Sequence, residues 1–133
     1  MKTYKVSSGS ASVSTNAATN LTAADGAIAT VRDLAKFDGA LDDAVLLHRD
    51  TMGAMWTPAT ATTGAAMPTG LGWFVQNYNG ERVYWQFGLT RDAASSLIVK
   101  IPGKHLTLIL LANSDGLSAP FALQEGDVNA SLF

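Results

Sequence analysis

The apolar positions of this chain change period along its length. Val31, Leu34, Phe37 and Leu41 recur at spacings of three, three and four, the period of one helical face. Thr30-Val31-Arg32-Asp33 fits the capping pattern that starts a helix, so the spacing predicts a first helix over 31 to 41. His48 to Trp56 places Met52, Met55 and Trp56 on one face, and Thr57-Pro58 stops this shorter second helix. From Gly70 onward the pattern is that of strands separated by turn residues. Gly72 to Asn77 reads as a strand, Asn79-Gly80 as a hairpin turn that favours positive φ at both central residues, and Glu81 to Phe87 as the return. Ser96 to Ile101, closed by Pro102-Gly103-Lys104, is a further strand, followed by His105 to Ala112. In this last strand both alternating sets are apolar: Leu106, Leu108 and Leu110 on one face, Ile109 and Leu111 on the other. Such a strand expects cover on both faces, as a central strand has.

Between and around these elements lie Ser7 to Ala24 and Ala59 to Pro68, built largely of small residues. They offer little apolar area to offset the entropy of ordering a backbone. The organisation expected is a single domain over 1–133: a loop or flexible segment at 1–24, helices over 25–58, an antiparallel sheet over 70–113 and a C-terminal turn or helix at 114–133. The fold class is α+β, an antiparallel sheet of three to four strands with helices packed against it.

Composition narrows the chemistry. At 133 residues the chain can bury a core of its own, and with no Cys, disulfides, thiolate catalysis and zinc-thiolate sites are excluded. Nine basic against eleven acidic residues give a net charge of -2, and the basic residues are never clustered. No footprint for nucleic acid or an anionic membrane results. The longest apolar run, Leu106 to Ala112, is far shorter than a bilayer span, and Met1-Lys2-Thr3-Tyr4-Lys5 leads into polar sequence where a signal peptide would have its apolar core. His48 and His105 stand alone on separate elements, so neither a metal nor another cofactor is expected.

The segment Ala24-Asp25-Gly26-Ala27-Ile28-Ala29-Thr30-Val31-Arg32-Asp33-Leu34-Ala35-Lys36-Phe37 resembles one found in the serine β-lactamase and penicillin-recognising esterase family of the class C type. Leu47 to Pro58, Gly70-Leu71-Gly72-Trp73, Trp85-Gln86-Phe87-Gly88, Ser95 to Pro102 and Leu108 to Leu117 resemble blocks of the same family in the same order, so that the likeness spans about residues 24 to 128. It implies a partial β-lactamase/transpeptidase-like fold and a parent activity on β-lactams or esters through an acyl-enzyme, in a family often periplasmic or secreted. The family's Ser-x-x-Lys and Tyr-x-Asn motifs do not occur, and Ser96 and Lys100 are four apart on a strand. The third motif, Lys-Thr-Gly or His-x-Gly on the strand beside the active site, falls on Gln86-Phe87-Gly88. By resemblance Gln86, Phe87, Gly88 and Leu89 form the substrate and oxyanion strand: Gly88 lets substrate approach the backbone, and the Leu89 N–H is an oxyanion donor. Gln in place of the motif's cation weakens the expectation of binding a penicillin carboxylate. The expectation is therefore a C-terminal fragment of such a hydrolase, inactive by itself and without a catalytic nucleophile.

Two other readings stand beside it. One is a standalone module that binds a protein strand or small ligand with its sheet. The other is an esterase using Ser114, because Ala112-Asn113-Ser114-Asp115-Gly116 follows the best strand as a nucleophile elbow would, although no His follows it. Asp42-Asp43 reads as a solvated turn and Trp73 as core, while Trp85 and Phe87 fit an acyl pocket and core equally. For partners, the strand Leu106 to Ala112 predicts self-association, or pairing with the missing N-terminal part, with no nucleic acid and no membrane.

Overall fold

The computed structural model describes residues 2–16, 22, 26–121 and 123–130. Its framework is a four-stranded antiparallel sheet in the order β3-β4-β5-β6, formed by Phe74–Tyr78, Glu81–Thr90, Ala94–Ile101 and Leu106–Ala112. A separate hairpin, β1 (Tyr4–Ser7) with β2 (Ser10–Val13), precedes the helices α1 (Val31–Asp42) and α2 (Arg49–Met55). The α+β class and the helices packed on an antiparallel sheet are as the sequence predicts.

Local chemistry accounts for the boundaries. Thr30 and Asp33 close the predicted capping box, the Asp33 N–H donating to Thr30 Oγ1 at 3.2 Å and the Thr30 N–H to Asp33 Oδ2 at 3.0 Å. Asn79 and Gly80 both take positive φ, at 49° and 81°, as the tight β3–β4 turn requires. β4 and β5 each run longer than their apolar patterns indicate, because Gly88 to Thr90 pair in register with Ala94 to Ser96. The tail from Asp115 forms three short 3-10 turns rather than an α-helix among the described residues.

The sheet has two covered faces. On one, Val83, Trp85 and Leu97 pack beneath Leu123 and Val128 of the tail, with Phe74 stacked on Trp85 at 4.3 Å between ring centroids. On the other, Leu41, Met55 and Trp73 gather Tyr84 and Ile98, and Trp56 stacks on Tyr84. The inward face of α1 differs from the predicted stripe. Asp38 and Leu41 are buried, whereas Val31 and Phe37 are each 46% exposed. An acid occupies the inward position because Lys100 of β5 meets it there at 2.8 Å.

Two expectations are corrected. Residues 4–13 form a hairpin where a loop was expected: Ser8 and Gly9 take the positive φ of a tight turn, and the Tyr4 N–H donates to the Asn113 carbonyl at 2.8 Å. The remainder of that expected loop, 17–21 and 23–24, lies outside the described residues, as do Asp25 and 131–133 of the expected tail. The second correction concerns β6. It lies at the sheet edge rather than the centre, paired with β5 alone among the described strands. Leu106, Leu108 and Leu111 are consequently 52%, 36% and 40% exposed.

Candidate functional site

Besides the edge strands, the second half of β4 has a free side among the described strands. β3 pairs only with Glu81 to Trp85, so among the described strands Gln86 to Thr90 have a neighbour on the β5 side alone. This half-strand borders a cleft of about 730 Å³ whose floor is Gly88, Thr90, Ala94, Ser96 and Leu111, and over which Ala27 to Ala29 and Leu34 pass. Leu89 also borders a smaller cleft of about 320 Å³ with Phe87, Arg91, Ala119 and Gln124. Both volumes lie within the range of small-molecule sites.

The four residues expected as the substrate strand take different parts. Gln86 turns its amide back on the protein: Nε2 donates to the Gly72 carbonyl at 2.8 Å and Oε1 accepts the Phe87 N–H at 2.9 Å. Phe87 packs beside Phe74 and Trp85 and lines the smaller cleft. Gly88 and Leu89 line the larger one, and the Gly88 carbonyl accepts from the buried Ser118 hydroxyl at 3.1 Å. Gly88 has a further reason to be glycine, since a Cβ there would stand 2.5 Å from Ser96 Oγ on the facing strand. That hydroxyl can rotate away. Gly88→Ala is therefore expected to cost about 1 kcal/mol, the scale of one strained rotamer, and Ser96→Gly in the same chain to restore the midpoint of urea unfolding.

Other candidates separate. Lys100, on the same sheet face as Ser96, spends its ammonium on Asp38 and Asp42, each at 2.8 Å. Asp42 thus holds an ion pair and is not simply part of a solvated turn. Burial acts to lower the Lys100 pKa, but hydrogen bonds and charge from Asp38 and Asp42 outweigh it and the net direction is upward. Asp38 also accepts from Thr107 Oγ1 at 2.8 Å, which ties α1 to β5 and β6. Nothing in the local sequence signals this cluster, because Asp38 and Lys100 are 62 positions apart.

Ser114 is in extended backbone, its Oγ accepting from the Gly116 N–H at 3.4 Å and its carbonyl accepting from Ser95 Oγ at 2.6 Å. His105 begins the opposite end of β6, about 30 Å away along an extended strand. His48 is the exposed residue before α2 and makes no side-chain cap bond. Trp85 is fully buried in the core and Trp73 nearly so, which leaves Phe87 as the aromatic at a cleft. Among the described residues no three His, Asp or Glu side chains gather as a metal site, and no helix is long and apolar enough to cross a membrane.

Compared with known families, the chain matches the family model described as Beta-lactamase over residues 2–129. That match includes the β1–β2 hairpin, and so extends beyond the blocks recognised in the sequence. No curated protein and no solved structure matches at a significant level.

Proposed function

The chain belongs to the β-lactamase family, and on that premise we propose that it is the C-terminal part of a serine hydrolase of this family, supplying the substrate-side strand while the nucleophile comes from elsewhere. The observation that carries the reading is the free half of β4, where Gly88 and Leu89 border the larger cleft. A strand with one unpaired side offers backbone N–H and C=O groups to an extended substrate. In this reading the Leu89 N–H is one oxyanion donor, and Gly88 keeps the approach clear of a side chain. The sequence contains no Ser-x-x-Lys and no Tyr-x-Asn, and Lys100 is committed to two carboxylates. Acyl transfer needs an activated nucleophile, so a strand of donors alone gives no covalent route.

The expected result is that the 133-residue chain hydrolyses neither p-nitrophenyl acetate nor a chromogenic cephalosporin above background. Intact mass after treatment with a fluorophosphonate serine probe should show no adduct. When the chain is joined to a segment bearing Ser-x-x-Lys, the probe should label that serine and not Ser114. A stoichiometric burst of nitrophenol from the chain alone, lost in Ser114→Ala, would overturn the reading in favour of an esterase. A second reading, a module that binds another protein strand, is favoured by the exposed leucines of β6.

A further inference from the structure

The smaller cleft has a chemistry of its own. It lies at the end of β4, where Phe87 and Leu89 share one side of the strand and Arg91 continues their alternation into the β4–β5 turn. Ala119 and Gln124, from the C-terminal turns, form its other wall.

The turn that carries Arg91 is fastened at several points. The Asp92 N–H donates to Oδ2 of the buried Asp115 at 3.0 Å, the Ala93 N–H to the Thr90 carbonyl at 3.0 Å, and the Asp92 carboxylate pairs with Lys5 at 3.1 Å. The nearest acid in sequence is therefore already engaged, and Arg91 has no carboxylate partner among the described residues. Gln124 likewise has no side-chain hydrogen bond among the described residues, which leaves its amide free in the lining that Arg91 shares.

We propose that this cleft binds a small amphipathic monocarboxylate, its alkyl part against Phe87 and Leu89 and its carboxylate on Arg91 with help from the Gln124 amide. A guanidinium presents a planar fork of donors that matches a carboxylate in two parallel hydrogen bonds. One cation in a largely polar lining, with Phe87 and Leu89 beside it and no lysine, suits a singly charged group with a short hydrocarbon part better than a phosphate. The volume of about 320 Å³ holds a chain of several carbons and its head group. The proposal does not rest on the hydrolase reading, because it concerns binding without turnover.

The test is titration of the isotopically labelled chain with hexanoate and, separately, with hexanol, following backbone amide shifts. Hexanoate should produce saturable shifts centred on Leu89, Arg91 and Ala119, and bind more tightly than hexanol. Arg91→Gln should weaken hexanoate about tenfold or more, the scale of a lost charged hydrogen bond, while leaving hexanol within twofold. Arg91 is exposed on a turn, so the variant should keep the wild-type amide spectrum away from the cleft. Phe87→Leu should weaken both probes. Equal affinity for hexanoate and hexanol, unchanged hexanoate binding in Arg91→Gln, shifts centred elsewhere, or no saturable shift would each overturn the proposal.

Discussion

Lys100→Ala is expected to lower the stability of the chain by about 3–5 kcal/mol, the cost of leaving one partner of a buried ion pair uncompensated. The Lys100 side chain is 4% exposed and that of Asp38 9%. Removing the ammonium leaves the Asp38 carboxylate with the Thr107 hydroxyl as its remaining polar partner among the described residues. Against a typical domain stability of about 5–15 kcal/mol, that loss removes a large share of the folded population. Asp42→Asn should cost no more than about 1 kcal/mol, because the Asp42 side chain is 52% exposed and water replaces much of what it gives. The double variant Lys100→Met, Asp38→Leu should recover most of the loss, since neither charge is then buried. Urea unfolding of the four proteins at neutral pH measures all three differences. A Lys100→Ala midpoint equal to wild type would refute the account.

The same cluster sets a pH dependence at the alkaline end. The folded-state pKa of Lys100 is raised, so its contribution is fully present below the unfolded value of about 10.4 and is lost as pH rises through the higher folded value. Wild-type stability should therefore fall across that window by more than that of the Lys100→Met, Asp38→Leu variant. Thermal unfolding between neutral pH and pH 11 compares them.

How much of this was legible in the sequence depends on the range of the signal. The Thr30–Asp33 capping box and the Asn79-Gly80 turn each act within four residues, and both stand where the sequence puts them. The β1–β2 hairpin was passed over because its alternation, Tyr4 and Val6 then Ala11 and Val13 about Ser8-Gly9, spans only four residues a strand, and the strands are exposed along nearly their whole length. The inward face of α1 was misread for a different reason. Asp38 looks like a polar interruption of the Val31, Leu34, Phe37, Leu41 stripe until Lys100 arrives beside it from another element. At the site, the Gly88 strand was visible through its resemblance to a known motif. The commitment of the Gln86 amide to Gly72, and the presence of Arg91 and Gln124 in the lining of one cleft, depend on loop and tail placements that no local pattern encodes.

The chain is expected to self-associate through β6, as a reversible dimer with a dissociation constant in the micromolar range. β6 contains no charged residue and no proline, the features that natural edge strands use to refuse a second strand. Its outer backbone groups have no strand partner among the described residues except near Ser114, where Tyr4 bridges. That bridge guides the register. A two-fold antiparallel pairing centred on Leu108 sets Leu106 opposite Leu110 and keeps Ala112 and the hairpin clear of the second copy. Leu106 and Leu108, now 52% and 36% exposed, would lie across the axis from leucines of the partner. Full burial of a leucine is worth roughly 1.5–3 kcal/mol, and about half of that is available at each of four positions. A short new ladder adds a modest net term, and association costs rigid-body freedom, so half-exposed leucines and one ladder support a weak dimer rather than a permanent one. Light scattering behind size exclusion should show mass rising towards twice the monomer as the loaded concentration passes through tens of micromolar. Leu108→Lys sets two ammonium groups face to face at the axis and should hold the chain monomeric with little loss of stability, because position 108 is partly in water already. A wild-type chain that stays monomeric throughout that range, or a Leu108→Lys chain that dimerises as wild type does, would show that β6 is not the interface.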